Sequence, residues 1–201
     1  MKITLWLVLA SVFLVISLPL LVWGFWPPRR ETATVPLVLP AGIPSLPDER
    51  TIRLTFSPRL RVGDSQIVEL NVTSEGGVTD GGVYDAYNVI AEARLDLSLA
   101  DVRPVETVSA ALVEGGGATF YWEVNPREVG ALRGTVWLYL RFVPKADGPA
   151  GETRQPVSAQ LLEVRSQSML GRSGTEARGI GVVGTVLGLV ALLWGIRARH
   201  L

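Results

Sequence analysis

The sequence predicts a mainly β protein: a seven-stranded Ig-like antiparallel sandwich flanked by two transmembrane α-helices. Three features point there. Each end of the chain carries an uncharged apolar run, the apolar period between residues 51 and 166 is two, and turn signals cut that region into short segments. At 201 residues, 48% of them apolar and with a mean hydropathy of +0.31, the chain has room for one domain plus two spans.

The first element, residues 1–26, is a transmembrane helix. Ile3 to Trp26 holds no charge in 24 positions, more than the roughly 20 needed to cross a bilayer. A cleaved signal peptide has an apolar core of about 7–15 residues and an A-x-A-like exit; this run is longer and ends in WGFWPPRR, an aromatic and then basic border. A retained signal anchor is therefore expected. Pro19 should kink it.

Residues 27–50 hold six of the 13 prolines and read as an extended Pro-rich tether, its apolar VPLVLP lying on a surface. From 51 to 166 strands are expected. TIRLTFS places Ile52, Leu54 and Phe56 on one face, and IVELNVT does the same with Val68, Leu70 and Val72. In NVIAEARLDLSLA, Val89, Ala91, Ala93, Leu95, Leu97 and Leu99 point inward, while Glu92, Arg94, Asp96 and Ser98 point outward. Further strands are expected at 107–113, 118–124, 131–143 and 157–165, separated by EGGVTDGG, EGGG, NPREVG and KADGPAGE. One-sided strands must bury their apolar faces against a second sheet, which gives a sandwich.

The run FYWEVNPREVGALRGTVWLYLRF resembles bacterial extracytoplasmic Ig-like and Fn3-like modules, with an aromatic strand, a Pro-containing turn with Gly and a long closing strand. That resemblance implies binding or scaffolding. The Cys pair of antibody-type domains is absent, since the chain has no cysteine. A hairpin of these two strands with Glu123 facing Arg133 would put Trp122 opposite Gly134 and Phe120 opposite Val136, with Trp122 in the core.

Residues 167–178 read as a polar linker, 179–196 as a second transmembrane helix of 18 uncharged residues, and 197–201 as a basic tail. Gly181, Gly184, Gly188, Ala191 and Gly195 form a small-residue face with an average step of 3.5, the repeat of a left-handed seam. Small residues let helices in lipid approach closely. Ala10, Ser17 and Gly24, seven apart in the first span, would form the matching groove; packing against another protein's helices is the other use of the face. Two spans put both termini on one side, with Trp6 and Trp194 at one interface and Trp23 and Trp26 at the other. Basic residues flank both sides, and the short N-terminal tail favours a two-pass protein of the cell membrane with cytoplasmic termini and an extracytoplasmic central domain.

Chemistry is sparse. His200 is the only histidine, so Ser-His, Cys-His and His-metal arrangements are excluded, and no catalytic, cofactor or metal residue is assigned. Asp80, Asp85 and Asn88 in DGGVYDAYN depart from the regular calcium loop and read as a turn. Asn71 in NVT sits mid-strand and receives no role. From Arg50 to Ser166 there are 12 basic and 15 acidic residues, which argues against nucleic acid. The expected partner surface is the outward face of the long strand, Arg133, Trp137, Tyr139 and Arg141 (with Thr135 between them), plus Tyr121 on its neighbour. The expected role is a non-enzymatic accessory or assembly subunit of a larger membrane complex, in contact with lipid and other integral membrane subunits. A surface module recognising envelope glycan or an external protein is the alternative.

Overall fold

The computed structural model describes residues 2–76, 82–145 and 151–197, with side chains from Val8 onward. In chain order the elements are α1 (Lys2–Phe25), β1 (Glu31–Pro36), β2 (Arg50–Phe56), β3 (Arg59–Arg61), β4 (Gln66–Ser74), α2 (Gly82–Ala86), β5 (Tyr87–Leu97), β6 (Ala100–Arg103), β7 (Val108–Ala111), β8 (Ala118–Pro126), β9 (Gly130–Pro144), β10 (Thr153–Gln167) and α3 (Gly174–Arg197). They divide into two compact units. One unites the terminal helices with Arg61–Asp64; the other holds the β region, Arg29–Leu60 and Ser65–Ser166.

In the helical unit, α1 and α3 are 24 residues each and long and apolar enough to span a membrane. At 1.5 Å per residue each is about 36 Å long, against a hydrocarbon core of roughly 30 Å. Pro19 lies inside α1. Two serine hydroxyls of α1 are satisfied by the helix itself: Ser11 donates to the Val8 carbonyl at 2.8 Å and Ser17 to that of Phe13 at 2.6 Å. The second helix begins earlier than its charge-free stretch. Ser173 and Glu176 cap it reciprocally, Glu176 N–H to Ser173 Oγ at 3.2 Å and Ser173 N–H to Glu176 Oε2 at 3.0 Å, so the residues read as linker supply its first turn.

The β unit consists of two five-stranded sheets, ordered β1-β2-β4-β8-β6 and β3-β10-β9-β5-β7. Alternation decides which face is buried. Ile52, Leu54, Val68, Leu70 and Val72 of one sheet and Val89, Ala91, Ala93, Leu95, Val136, Leu138 and Leu140 of the other are each at most 4% exposed and join one cluster.

Among the described residues there are ten strands, not seven; β1, β3 and β6 are the additions. β1 falls within the expected tether. Its six residues are all exposed, so no burial pattern betrays it, and it pairs with β2 from Glu31↔Phe56 to Pro36↔Thr51. Downstream of it, Leu37, Leu39, Ile43 and Leu46 pack on the core. The strand beginning near Asn88 ends at Leu97, so Leu99 is not an inward residue: it sits in the following turn, 50% exposed, where its carbonyl accepts the Arg127 N–H at 3.1 Å.

The expected Trp122–Gly134 hairpin does not form. β8 pairs with β4 and β6, whereas β9 pairs with β5 and β10 in the other sheet. Glu123 is in register with Ile67 and Arg103; Arg133 is in register with Glu163. The chain between β8 and β9 crosses from one sheet to the other, a possibility that charge matching across a turn cannot detect. Trp122 is nevertheless core, 0% exposed and stacked on Phe120 at 6.4 Å. Gly134 is needed for a different neighbour: a Cβ there would overlap the Asp96 carbonyl and lie 2.8 Å from Leu97 Cα.

Candidate helix-packing face and partner surface

The small residues of α3 face α1. A Cβ on Gly181 would lie 2.7 Å from Leu21 N, on Gly184 2.7 Å from Ser17 Cβ, and on Gly188 2.8 Å from Leu14 Cγ. Thr185 Oγ1 adds a hydrogen bond to Ser17 Oγ at 3.3 Å. Gly181, Gly188 and Gly195 are buried, while Gly184 and Ala191 are half-buried. On α1, Ala10, Ser17 and Gly24 are buried. Running the same spacing backward adds Gly174 and Ala177, both buried, which gives glycines at 174, 181, 188 and 195, each seven apart. The sequence reading missed these two because it placed them in the linker.

Where α1 ends and α3 begins, a second feature went unread. Asp64, its side chain 7% exposed, accepts from Arg178 Nη1 at 3.2 Å and Nη2 at 2.5 Å, and lies 3.5 Å from Arg61 Nη1. Arg61 donates to the Gly24 carbonyl at 2.9 Å and to that of Trp26, and covers the Trp23 ring at 5.2 Å. A guanidinium thus meets carbonyls left over at the end of α1, and a carboxylate sits at the first turn of α3, each sign matched to its helix terminus. Gly174 is required: a Cβ there would lie 2.5 Å from both Asp64 oxygens. Trp26 and Trp194 are exposed at 67% and 68%, and the side chains of Lys2 and Trp6 lie outside the described residues.

In the β unit Arg50 is a buried charged residue. Its side chain is 0% exposed and donates to Tyr84 Oη (2.7 Å), to the Gly116 and Val113 carbonyls (2.7 and 2.9 Å) and to Asp48 Oδ1 (3.2 Å). Asp48 Oδ2 lies 2.7 Å away but out of hydrogen-bonding alignment, so that contact is ionic. Burial, with a smaller contribution from the Asp48 carboxylate and opposition from Arg50, pushes the Tyr84 phenol up to about 12. Below pH 10 the phenol is neutral in both folded and unfolded chains and this contribution is intact. Between pH 10 and 12 only the unfolded chain ionises, so stability should fall by up to about 2–3 kcal/mol. Urea midpoints at pH 9, 10 and 11 should show this decline and Tyr84→Phe should flatten it; an equal slope in the variant would refute the assignment.

The expected partner surface divides. Arg133, Thr135, Trp137, Tyr139 and Arg141 do share the outward face of β9, but Tyr121, 56% exposed, stands on β8 in the other sheet. Much of the face is occupied. Glu92 ion-pairs with Arg141 at 2.9 Å and Arg154 at 2.7 Å, Arg141 reaches Glu152 at 3.3 Å, and Arg154 covers the Tyr139 ring at 4.0 Å. Trp137 stacks on Tyr139 at 6.3 Å. Arg133 is freer: its side chain is 76% exposed and its contact with Glu163 is 3.6 Å. Leu161, in register with Thr135, is 88% exposed beside this free end. A cleft of about 510 Å³ opens there, lined among others by Trp137, Thr135, Arg133, Arg127, Asp101 and Val105. Arg127 hydrogen-bonds Asp101 and holds its carboxyl below the usual range.

Asp85 lies on α2 and Asn88 is the second residue of β5, both exposed, whereas Asp80 and His200 lie outside the described residues. The Asn71 amide donates to Thr119 Oγ1 at 2.9 Å, so this sequon is engaged across the sheet.

No family model matches the chain, and no curated protein matches it. Among solved structures, the chain is similar to one in the crystal structure of the complex between zinc 2-glycoprotein and prolactin inducible protein from human seminal plasma. Identity is 12%, the match covers 68% of this chain and 97% of that one, and the TM-score is 0.31.

Proposed function

We propose that this chain is a non-enzymatic accessory or assembly subunit of a larger membrane complex. It is a two-pass protein of the cell membrane with cytoplasmic termini, and it presents an Ig-like sandwich outside the cytoplasm. The observation that carries the reading is the closure of the glycine face within the chain. Gly181, Gly184 and Gly188 are taken up by α1, so the anchor is complete by itself and partners must be met elsewhere. The outer helix surface is aliphatic, with Val12, Val15, Val183 and Val190 exposed, as lipid contact requires. Charge within the spans, which would mark a transport path, is absent from Ile3–Trp26 and Gly179–Ile196. Among the described residues, the free end of the β9 face suits a partner, where Trp137, Arg133 and Leu161 offer apolar area with a charged rim.

The full chain extracted in mild detergent should migrate with stoichiometric integral membrane partners. Trp137→Ser combined with Leu161→Ser should release them by tenfold or more while leaving the chain folded and membrane-bound. A chain that migrates alone, or partners indifferent to both substitutions, would remove this reading. The cleft beside Trp137 favours a second one, recognition of envelope glycan, because an indole flanked by Arg133 and Asp101 suits a sugar ring and its hydroxyls. Binding of polysaccharide by the full chain in nanodiscs, lost in Trp137→Ser, would select it.

A further inference from the structure

We propose that the turn Met169–Arg172 lies in the interfacial layer of the bilayer, with Leu170 inserted at the boundary between headgroups and acyl chains. The turn is closed by two hydrogen bonds, Arg172 N–H to the Met169 carbonyl at 2.9 Å and Met169 N–H to the Arg172 carbonyl at 3.2 Å. Its central residues both have positive φ, 53° at Leu170 and 72° at Gly171, as a type I′ turn requires. Asn-Gly is the pair that suits such a turn, because asparagine tolerates the left-handed region and likes water. Leucine does neither: its Cβ is strained there, and here the side chain is 79% exposed. A local rule broken in both backbone and solvation, with the side chain left largely uncovered by the described residues, implies an apolar phase outside the chain.

Position supplies the phase. Gly174, two residues after the turn, starts the apolar helix α3. The end of α1 packed beside that start, where Gly24 meets Arg178, carries Phe25 and Trp26, 62% and 67% exposed, and tryptophan is enriched at a membrane–water interface. Arg172, its side chain 56% exposed and 4.0 Å from Glu176, can keep its charge in the headgroup layer while Leu170 reaches inward. The turn then fixes the depth of the helix pair in the membrane, adding an apolar foothold beside the spans.

This inference rests on the membrane-spanning reading, and the test separates the two. Because the chain has no cysteine, single cysteines can be spin-labelled without removing any native one. Leu170→Cys, Val183→Cys on the exposed face of α3 and Leu161→Cys on the β unit would be made in the full chain and reconstituted in phosphatidylcholine–phosphatidylglycerol vesicles. Collision with oxygen, enriched in lipid, is compared with collision with a water-soluble nickel chelate. The oxygen-to-nickel ratio at 170 should exceed that at 161 several-fold and fall below that at 183. A label at 170 matching 161 while 183 reports lipid would overturn the insertion of Leu170 alone. A label at 183 that also matches 161 would overturn the spanning helix, and this inference with it.

Discussion

Replacing Gly181 with leucine is expected to separate α1 from α3. The added Cβ would lie 2.7 Å from the Leu21 backbone nitrogen and 2.8 Å from its Cα, and backbone cannot rotate away as a side-chain tip can. Even alanine should cost about 1–3 kcal/mol of helix packing, the usual range for overpacking. Alanine at Gly184, which meets Ser17 Cβ at 2.7 Å, should cost less. At Gly188 the nearest atoms are Leu14 Cγ and Cδ2, at 2.8 and 2.9 Å on a rotatable side chain, and the cost should be least. Crosslinking can read this order. Ser17 and Thr185 hydroxyls are 3.3 Å apart, so a Ser17→Cys/Thr185→Cys pair should oxidise readily to a disulfide in the full chain. Gly181→Leu should abolish that bond, whereas Gly179→Leu, whose Cβ meets nothing within 4 Å, should leave it intact. Undiminished crosslinking in Gly181→Leu would mean that the helices are not held by this contact.

The same helix pair shows what a sequence can and cannot reveal. The seam is legible because its signal is compositional and periodic: glycine and alanine at steps of three and four, matched by Ala10, Ser17 and Gly24. Its first turn is not, because Glu176 and Arg178 carry charge and fall outside the uncharged stretch. The S-x-x-E of Ser173–Glu176, a capping signal, would have restored it. Seven strands were legible from alternation, since each turns one face toward the core. β1 was not, because all six of its residues are exposed and only its pairing with β2 makes it a strand. β3 and β6 are three and four residues long, too short for a period to register.

Tertiary pairing was less accessible still. A charge match between Glu123 and Arg133 suggested a hairpin, yet the true neighbour of Arg133 is Glu163, thirty residues further on and equally well matched. Opposite charges are common enough on strand faces that a pair cannot specify register. In the partner surface, alternation placed the β9 residues correctly on one face but could say nothing of Arg154, which arrives from β10 to cover Tyr139, or of Leu161, left uncovered beside Thr135.

The Asp48–Arg50–Tyr84 cluster was invisible for the same reason, and it carries the largest stability effect expected in the β unit. Arg50 opens β2, a position that alternation alone would give to the surface or to an apolar residue. Instead its guanidinium ties together Asp48, Tyr84 and the turn carbonyls of Val113 and Gly116. Arg50→Met would leave the Asp48 carboxylate, 1% exposed, without a counter-charge and the Gly116 carbonyl without its donor, while the Val113 carbonyl keeps the Gly116 N–H at 3.0 Å. Removing one partner of a buried pair costs about 3–5 kcal/mol, a large share of the roughly 5–15 kcal/mol that holds a domain folded. Urea unfolding of the full chain in detergent, followed by near-ultraviolet circular dichroism, should show a loss of that size. Arg50→Met with Asp48→Leu should recover part of it, because the unpaired charge is gone while the Gly116 carbonyl stays unmet. Tyr84→Phe should cost less, about 1–3 kcal/mol, because the phenol accepts from Arg50 at 2.7 Å and donates to Asp48 at 3.3 Å while the Arg50–Asp48 pair itself survives. If Arg50→Met falls within 1 kcal/mol of the parent, or if the double substitution is worse than the single, the cluster is not the clamp described.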